Sequence, residues 1–304
     1  MGERACVIVP ARKRPADGSL DAACSRLRAE GHAIDLVLTE SWEDTEAALA
    51  DAGAGASTRI VIGGGDGTLS GVATRLPEGA TLGILPLGTA NDFAHACDLP
   101  VGDVEAALRI AVTADPIAVD LGAVDGKIFI NMATGGAGAA VTVETPSDLK
   151  QRLGGFAYIL SGIQRLSDFE PIAARVTGDG LSWEGRFYVV AVGNGRRAGG
   201  GMPLCPDAVI DDGLLDLTLI PEFDFARLFG AIDEGDDESG FVIRRKLSEV
   251  TIETETPLQV NFDGEPFEAT RFAFTCRPGA VRVALPPATP LLQANQERGG
   301  FFFS

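Results

Sequence analysis

Ile60-Val61-Ile62-Gly63-Gly64-Gly65-Asp66-Gly67-Thr68-Leu69 is an apolar run that ends in four glycines around one acidic residue and passes into a helical pattern. A β-rich run that feeds a glycine loop and then a helix is the joint of a parallel α/β unit. Glycines at such a joint let backbone N–H groups approach a phosphate, and the following helix N-terminus adds partial positive charge. Asp66 and Thr68 offer a metal-bridging carboxylate and a hydroxyl donor, and they serve equally well as N-caps of a tight turn. No Gly-Lys-Ser/Thr follows, so this is not a Walker A loop. A second joint repeats the pattern at Leu82-Gly83-Ile84-Leu85-Pro86-Leu87-Gly88-Thr89-Ala90-Asn91-Asp92-Phe93. Taken alone, Asn91-Asp92 reads as a helix cap. Two such loops at the carboxyl ends of parallel strands converge on one crevice, which points to a nucleotide.

Working outward, strands are predicted over 7–9, 33–38, 59–62 and 81–85, with helices over 20–30, 45–52, 69–76 and 90–97. That alternation implies right-handed crossovers and a doubly wound, mainly parallel sheet. From residue 117 the rhythm changes to short strands with Gly and Asp-Gly turns. The runs 117–124 and 127–133 flank Asp125-Gly126, a two-residue hairpin signal. Further strands are predicted over 173–177, 185–192, 214–220, 249–254, 258–262, 271–275 and 280–284, with one helix over 147–166. This second half reads as an antiparallel β-sandwich. The domains are therefore 1–116, α/β and nucleotide-binding, and 117–285, β-sandwich, with 286–304 a segment that can return to the first. Asp115-Pro116 and Pro286-Pro287 mark the joints.

The 304 residues carry 25 Lys+Arg against 43 Asp+Glu, a net charge of −18, with 45% hydrophobic residues. Such a chain fills a core, and it lacks the basic balance that a nucleic-acid binder needs to neutralise phosphates. Cys6, Cys24, Cys97, Cys205 and Cys276 are scattered without a Cys-x-x-Cys pair, which suits a reducing compartment. His32 and His95 are too few for a histidine-rich zinc site. No apolar stretch reaches membrane-spanning length, and Glu3 and Arg4 interrupt any secretory signal, so the expected location is cytoplasmic. The acidic run 233–238 reads as a solvated loop.

Three downstream stretches make a resemblance specific: Phe129-Ile130-Asn131-Met132-Ala133-Thr134-Gly135-Gly136, residues 204–215 around Cys205-Pro206 and Asp211-Asp212-Gly213, and Asn261-Phe262-Asp263-Gly264-Glu265-Pro266. With the two glycine loops, and in the same order over residues 7 to 292, they resemble the YegS-type bacterial lipid kinases of the diacylglycerol and sphingosine kinase superfamily. The resemblance implies ATP bound in the cleft between the two domains, with Thr39, Gly65, Asp66, Gly67, Thr68, Leu69, Ser70, Gly71 and Thr89 matching nucleotide contacts; Asn91 joins them on the loop reading. It also implies a structural Mg2+, or Ca2+ as another hard cation, held by the backbone oxygens of Val209 and Leu214 and the carboxylate of Asp212. Glu265 matches the family's proton acceptor. Asp263 lies one residue away, and on an extended backbone it would point the same way, toward metal or phosphate. The implied substrates are ATP and a membrane lipid such as phosphatidylglycerol or diacylglycerol, met by transient contact with the inner face of the membrane.

The chain departs from the family pattern twice. Ser70-Gly71 stands where members often have Asn-Glu, and Arg12-Lys13-Arg14 replaces the usual Asn, Gly and Ser loop after the first strand. The basic loop reads either as a phosphate or head-group attractor or as a solvated turn. Arg244-Arg245-Lys246 reads as wet surface, and Phe301-Phe302-Phe303 as a loose tail. Two rival functions remain open on sequence. One is a soluble-substrate kinase of NAD-kinase type, which shares the Gly-Gly-Asp-Gly-Thr loop. The other is a nucleotide- or lipid-binding regulator without turnover.

Overall fold

The computed structural model describes residues 4–54, 58–137, 170–199, 201–223 and 241–295. The helix expected over 147–166, the acidic run 233–238 and the Phe301–Phe303 end lie outside the described residues. The chain divides into one unit of Met1–Leu121, Val209–Asp212 and Arg277–Ser304 and another of Gly122–Ala208 and Gly213–Cys276, taken over the described residues.

The first unit is built on β1 (Arg4–Pro10), β2 (Ala33–Thr39), β3 (Arg59–Gly64) and β4 (Thr81–Pro86), all parallel, in the order β2-β1-β3-β4. Every residue of β3 and β4 is buried, so these strands read as unbroken apolar runs rather than alternating ones. Five helices follow the strands: α1 (Ser19–Ala29), α2 (Trp42–Ala54), α3 (Asp66–Ala73), α4 (Asp92–Ala96) and α5 (Val104–Thr113). Leu20, Ala23, Cys24 and Leu27 form the buried stripe of α1, at the i, i+3, i+4, i+7 spacing of an amphipathic helix. That stripe packs with Val7, Val9 and Val61 and with Ala107, Leu108, Ala111 and Val112 of α5.

Helix α5 was not among the helices expected from sequence. Its signal was Asp103, whose carboxylate accepts from Ala106 N–H at 3.0 Å as an N-cap. At its other end the buried Arg59 guanidinium donates to the carbonyls of Ala111 and Ala114 at 3.2 and 2.9 Å.

The second unit is antiparallel. Strand β5 (Pro116–Val124) runs into it and turns at Asp125-Gly126, with φ of 46° and 84°, onto β6 (Lys127–Phe129). The remaining strands are β7 (Met132–Gly136), β8 (Ile172–Gly178), β9 (Leu181–Gly193), β10 (Leu215–Pro221), β11 (Ile243–Leu247), β12 (Glu249–Phe262) and β13 (Glu265–Ala284). The hydrogen-bonded order is β11-β10-β9-β7-β12-β13, with β8 paired to both β9 and β12. Along β9, Val190 and Val192 enter one hydrophobic cluster while Val189 and Ala191 enter another, so both faces of the strand are covered. Phe129, Phe262, Phe272 and Phe274 form the aromatic centre of the first cluster.

Three details differ from the sequence reading. The runs 249–254 and 258–262 are one strand, β12, with a register shift between Glu253 and Leu258. The runs 271–275 and 280–284 likewise belong to one strand, β13, whose end pairs in parallel with β4 at Arg282↔Thr81. Arg244-Arg245-Lys246 lies on β11, with Arg245 and Lys246 exposed as the sequence reading expects and Lys246 3.5 Å from Asp216. Residues 209–212 group with the first unit instead of the β domain. Asp120 N–H donates to the Ile210 carbonyl at 2.7 Å, and Ile210 N–H donates to that of Leu291 at 3.0 Å.

Candidate active site

Strands β3 and β4 are in parallel register with Gly64 opposite Pro86, so their glycine loops leave the sheet side by side. Leu87 N–H donates to the Gly64 carbonyl at 3.1 Å, and the backbones then close on each other at Gly65 and Gly88. A Cβ on Gly88 would sit 2.5 Å from Gly65 Cα, so no side chain fits there without moving backbone. Asn91, at φ 49°, clasps Gly88: its Oδ1 accepts from Gly88 N–H and its Nδ2 donates to the Gly88 carbonyl, both at 2.8 Å. Asp66 opens α3, yet its carboxylate caps α4, accepting from Asp92 N–H at 3.0 Å and Phe93 N–H at 3.1 Å. Asp66 and Asn91 therefore weld the two loops together.

What the weld presents is the first turn of α3. Thr68 and Leu69 N–H close on the Gly65 carbonyl, while N–H groups of the first helical turn have no partner within the helix. The positive end of the α3 dipole lies at the same place, which favours an anion. Gly65 through Thr68 are half-buried, Thr89 is exposed on the second loop, and Leu69 and Ser70 are buried.

The basic loop resolves into three separate fates. Arg14 pairs with Asp21 at 2.6 Å, and Arg12 is exposed. Lys13 is half-buried, and its ammonium donates to Thr68 Oγ1 at 3.1 Å. Burial pulls the Lys13 pKa down, the Arg12 charge adds to that, and the Asp66 charge opposes it.

Two expected contacts change. Thr39 is 3% exposed and its hydroxyl is hydrogen-bonded to that of Thr45 at 2.9 Å, so it packs inward instead of facing a crevice mouth. Gly71 is filled from outside: a Cβ there would meet Trp42 Cη2 at 2.7 Å. The indole is fixed by donation from Nε1 to Glu46 at 2.9 Å and by Arg75, 5.3 Å over the ring. The Ser70-Gly71 departure thus removes a side chain and makes room for Trp42.

In the second unit, Asp263-Gly264 is a turn between β12 and β13, with φ of 48° and 100°, and Asn261 Oδ1 accepts from Gly264 N–H at 2.7 Å. The expected alignment of Asp263 with Glu265 fails because the backbone between them is not extended. The Asp263 carboxylate instead accepts from Ile130, Asn131 and Met132 N–H at 2.8, 3.1 and 2.8 Å. It fills the break between β6 and β7, where these three amides engage it. Glu265, at the start of β13, is exposed. The partner that holds this hairpin, residues 130–132, lies about 130 positions away and left no local signal in the sequence.

For a hard cation, Val209, Asp212 and Leu214 offer two carbonyls and one carboxylate on a six-residue stretch. The neighbouring Asp211 carboxylate is engaged by Gln293 N–H at 2.7 Å. Among the described residues no group of three or more His, Cys, Asp or Glu side chains is placed to hold a metal. An all-oxygen set with carbonyl ligands fits Mg2+ or Ca2+, and it does not suit zinc.

A mainly parallel α/β unit with paired glycine loops, followed by an antiparallel β unit carrying an acidic hairpin, defines a class of phosphotransferases. Residues 5–124 match the diacylglycerol kinase catalytic domain, and residues 132–285 match the YegS C-terminal NAD kinase beta sandwich-like domain. The chain is 42% identical over 288 residues to a probable lipid kinase YegS-like of Pseudomonas aeruginosa, covering 92% of this chain and 94% of that one. It is 40% identical to the probable lipid kinase YegS-like of Pseudomonas syringae pv. tomato, covering 96% and 97%. The fold matches a crystal structure of a putative diacylglycerol kinase from Bacillus anthracis with a TM-score of 0.75 at 24% identity, covering 94% of this chain and 98% of that one. The chain belongs to the YegS-like lipid kinase family, and it is a kinase.

Proposed function

We propose that the chain transfers the γ-phosphoryl group of ATP to a free hydroxyl of a membrane lipid, such as phosphatidylglycerol or diacylglycerol. The observation that carries this reading is the backbone weld of the two glycine loops, which holds the first turn of α3 open beside the Lys13 ammonium. Phosphoryl transfer asks a protein mainly for positioning and charge neutralisation, and that arrangement supplies both. Gly65, Gly67 and Thr68 contribute backbone and hydroxyl donors to the triphosphate, and Thr89 contributes its hydroxyl from the second loop. Asp66 and Asn91 act on the nucleotide through the shape of the loops.

The lipid hydroxyl oxygen attacks the γ-phosphorus, the bond to the β–γ bridging oxygen breaks, and ADP leaves with that oxygen. Glu265 accepts the hydroxyl proton, while Asp263 fixes the hairpin that carries it. Val209, Asp212 and Leu214 would hold the hard cation, which would supply local positive charge. In this reading the lipid is met by transient contact at the cytoplasmic face of the membrane; among the described residues no helix is long and apolar enough to cross one.

Labelled ATP with mixed micelles of phosphatidylglycerol or diacylglycerol tests this, comparing wild type with Glu265→Gln. Loss of a general base costs about 10²- to 10⁴-fold, and that loss is expected in lipid phosphorylation. Equal turnover by the two proteins removes Glu265 from the mechanism, and phosphorylation of NAD in place of lipid moves the substrate class.

A further inference from the structure

Lys13 ends the short 3-10 turn Ala11–Lys13 that follows β1. Strand β1 is the parallel neighbour of β3, with Ile8 opposite Ile62, so residues just past β1 emerge beside the loop just past β3. Contact between Lys13 Nζ and Thr68 Oγ1 at 3.1 Å is the direct result, although the two are 55 positions apart. Among the described residues, no carboxylate stands within ion-pair distance of this ammonium. The nearby Asp66 carboxylate accepts from two amides of α4.

The local charge is therefore lopsided. A half-buried ammonium meets the positive end of α3 at Thr68. The exposed Arg12 guanidinium repels that ammonium while the Asp66 carboxylate attracts it, and among the described residues a neutral hydroxyl is the group that the ammonium bonds. Burial and Arg12 both disfavour the charged form of Lys13, as its lowered pKa records. An arrangement that holds a cation against its own desolvation, with only a hydroxyl as partner, is completed by an anion with several oxygens. Lysine suits a chain of phosphates because its ammonium is a mobile point charge on a flexible stem, free to leave Thr68.

We propose that Lys13 is the phosphate-reading cation of the nucleotide site: its ammonium leaves Thr68 Oγ1 for the terminal phosphates of a nucleoside di- or triphosphate seated on the first turn of α3, and so disfavours monophosphates. This rests on the kinase reading above and adds to it a residue that sets which nucleotides bind. Thr68 serves as the resting place of the ammonium when the phosphates are gone.

Calorimetric titration of the full chain with ATP, ADP, AMP and inorganic tripolyphosphate tests this on wild type, Lys13→Met, Lys13→Arg and Arg14→Met. Lys13→Met should weaken ATP, ADP and tripolyphosphate by about 10-fold or more, the scale of one charge-assisted contact, and leave AMP within about 2-fold. Lys13→Arg should keep most of the ATP affinity, and Arg14→Met should match wild type. A Lys13→Met protein that binds ATP as wild type does, or that loses AMP as much as ATP, overturns the assignment while leaving the kinase reading intact. Wild type that binds no nucleotide overturns both. A second readout needs no variant. The lysines of the chain are Lys13, Lys127, Lys150 and Lys246, and amine acetylation read by peptide mass spectrometry should fall at Lys13 when ATP or tripolyphosphate is present. Unchanged acetylation of Lys13 under saturating ATP contradicts the proposal.

Discussion

The loop pair of the first unit and the 261–265 hairpin of the second solve one problem with the same device. In each, a carboxylate that looks catalytic in sequence is engaged by backbone amides of a distant segment: Asp66 by two amides of α4, Asp263 by the three amides of residues 130–132. In each, a residue of the proposed site, Thr89 or Glu265, is exposed nearby. They differ in what else holds the segment. The loops are also locked by direct backbone contact at Gly65 and Gly88 and by the Asn91 clasp, whereas the hairpin is held by strand pairing, the Asn261 turn bond and Asp263 N–H on the Met132 carbonyl, with the Asp263 carboxylate alone serving three amides. A site built on several redundant ties tolerates the loss of one. A carboxylate that alone satisfies three amides of buried residues costs more to lose.

That contrast orders the expected effects. Asp263→Ala orphans three amides at about 1–3 kcal/mol each, so urea denaturation should show a loss of about 3 kcal/mol or more. Glu265→Gln should leave the midpoint unchanged while removing turnover. Gly88→Ala comes next, at about 1–3 kcal/mol for overpacking, with nucleotide affinity falling along with stability because the loops are forced apart. Asp66→Asn is smallest, about 1 kcal/mol, since one acceptor oxygen survives and Asn91 and Gly88 still close the loops. A larger loss from Asp66→Asn than from Asp263→Ala would break the comparison.

The first unit was largely legible because its signals are local. Apolar run, glycine loop and helix follow one another within ten residues, and the structure joins the two loops that the repeated pattern suggested. Helix α5 escaped because Asp103 stands in a plain acidic context, and its apolar stripe is rich in alanine. In the second unit the strands were legible by composition, but their extents were not. Pro278-Gly279 looks like a break in β13, yet the strand runs through it, with Gly279 N–H donating to the buried Asp120 at 2.7 Å. The role of Asp263 was hidden for the same reason: its partners are brought to it by the pairing of β12 with β7. The grouping of residues 209–212 with the first unit likewise depends on bonds to Asp120 and Leu291. Periodicity reports which face of an element is buried. It carries no information about which remote segment does the burying.

Hydrogen exchange of the full chain with and without ATP addresses the nucleotide grip itself. Slowed exchange in peptides spanning 63–70 and 86–93, together with the turn containing Lys13, is the predicted outcome. Exchange that stays unchanged in both glycine-loop peptides while ATP is bound elsewhere on the chain would contradict it.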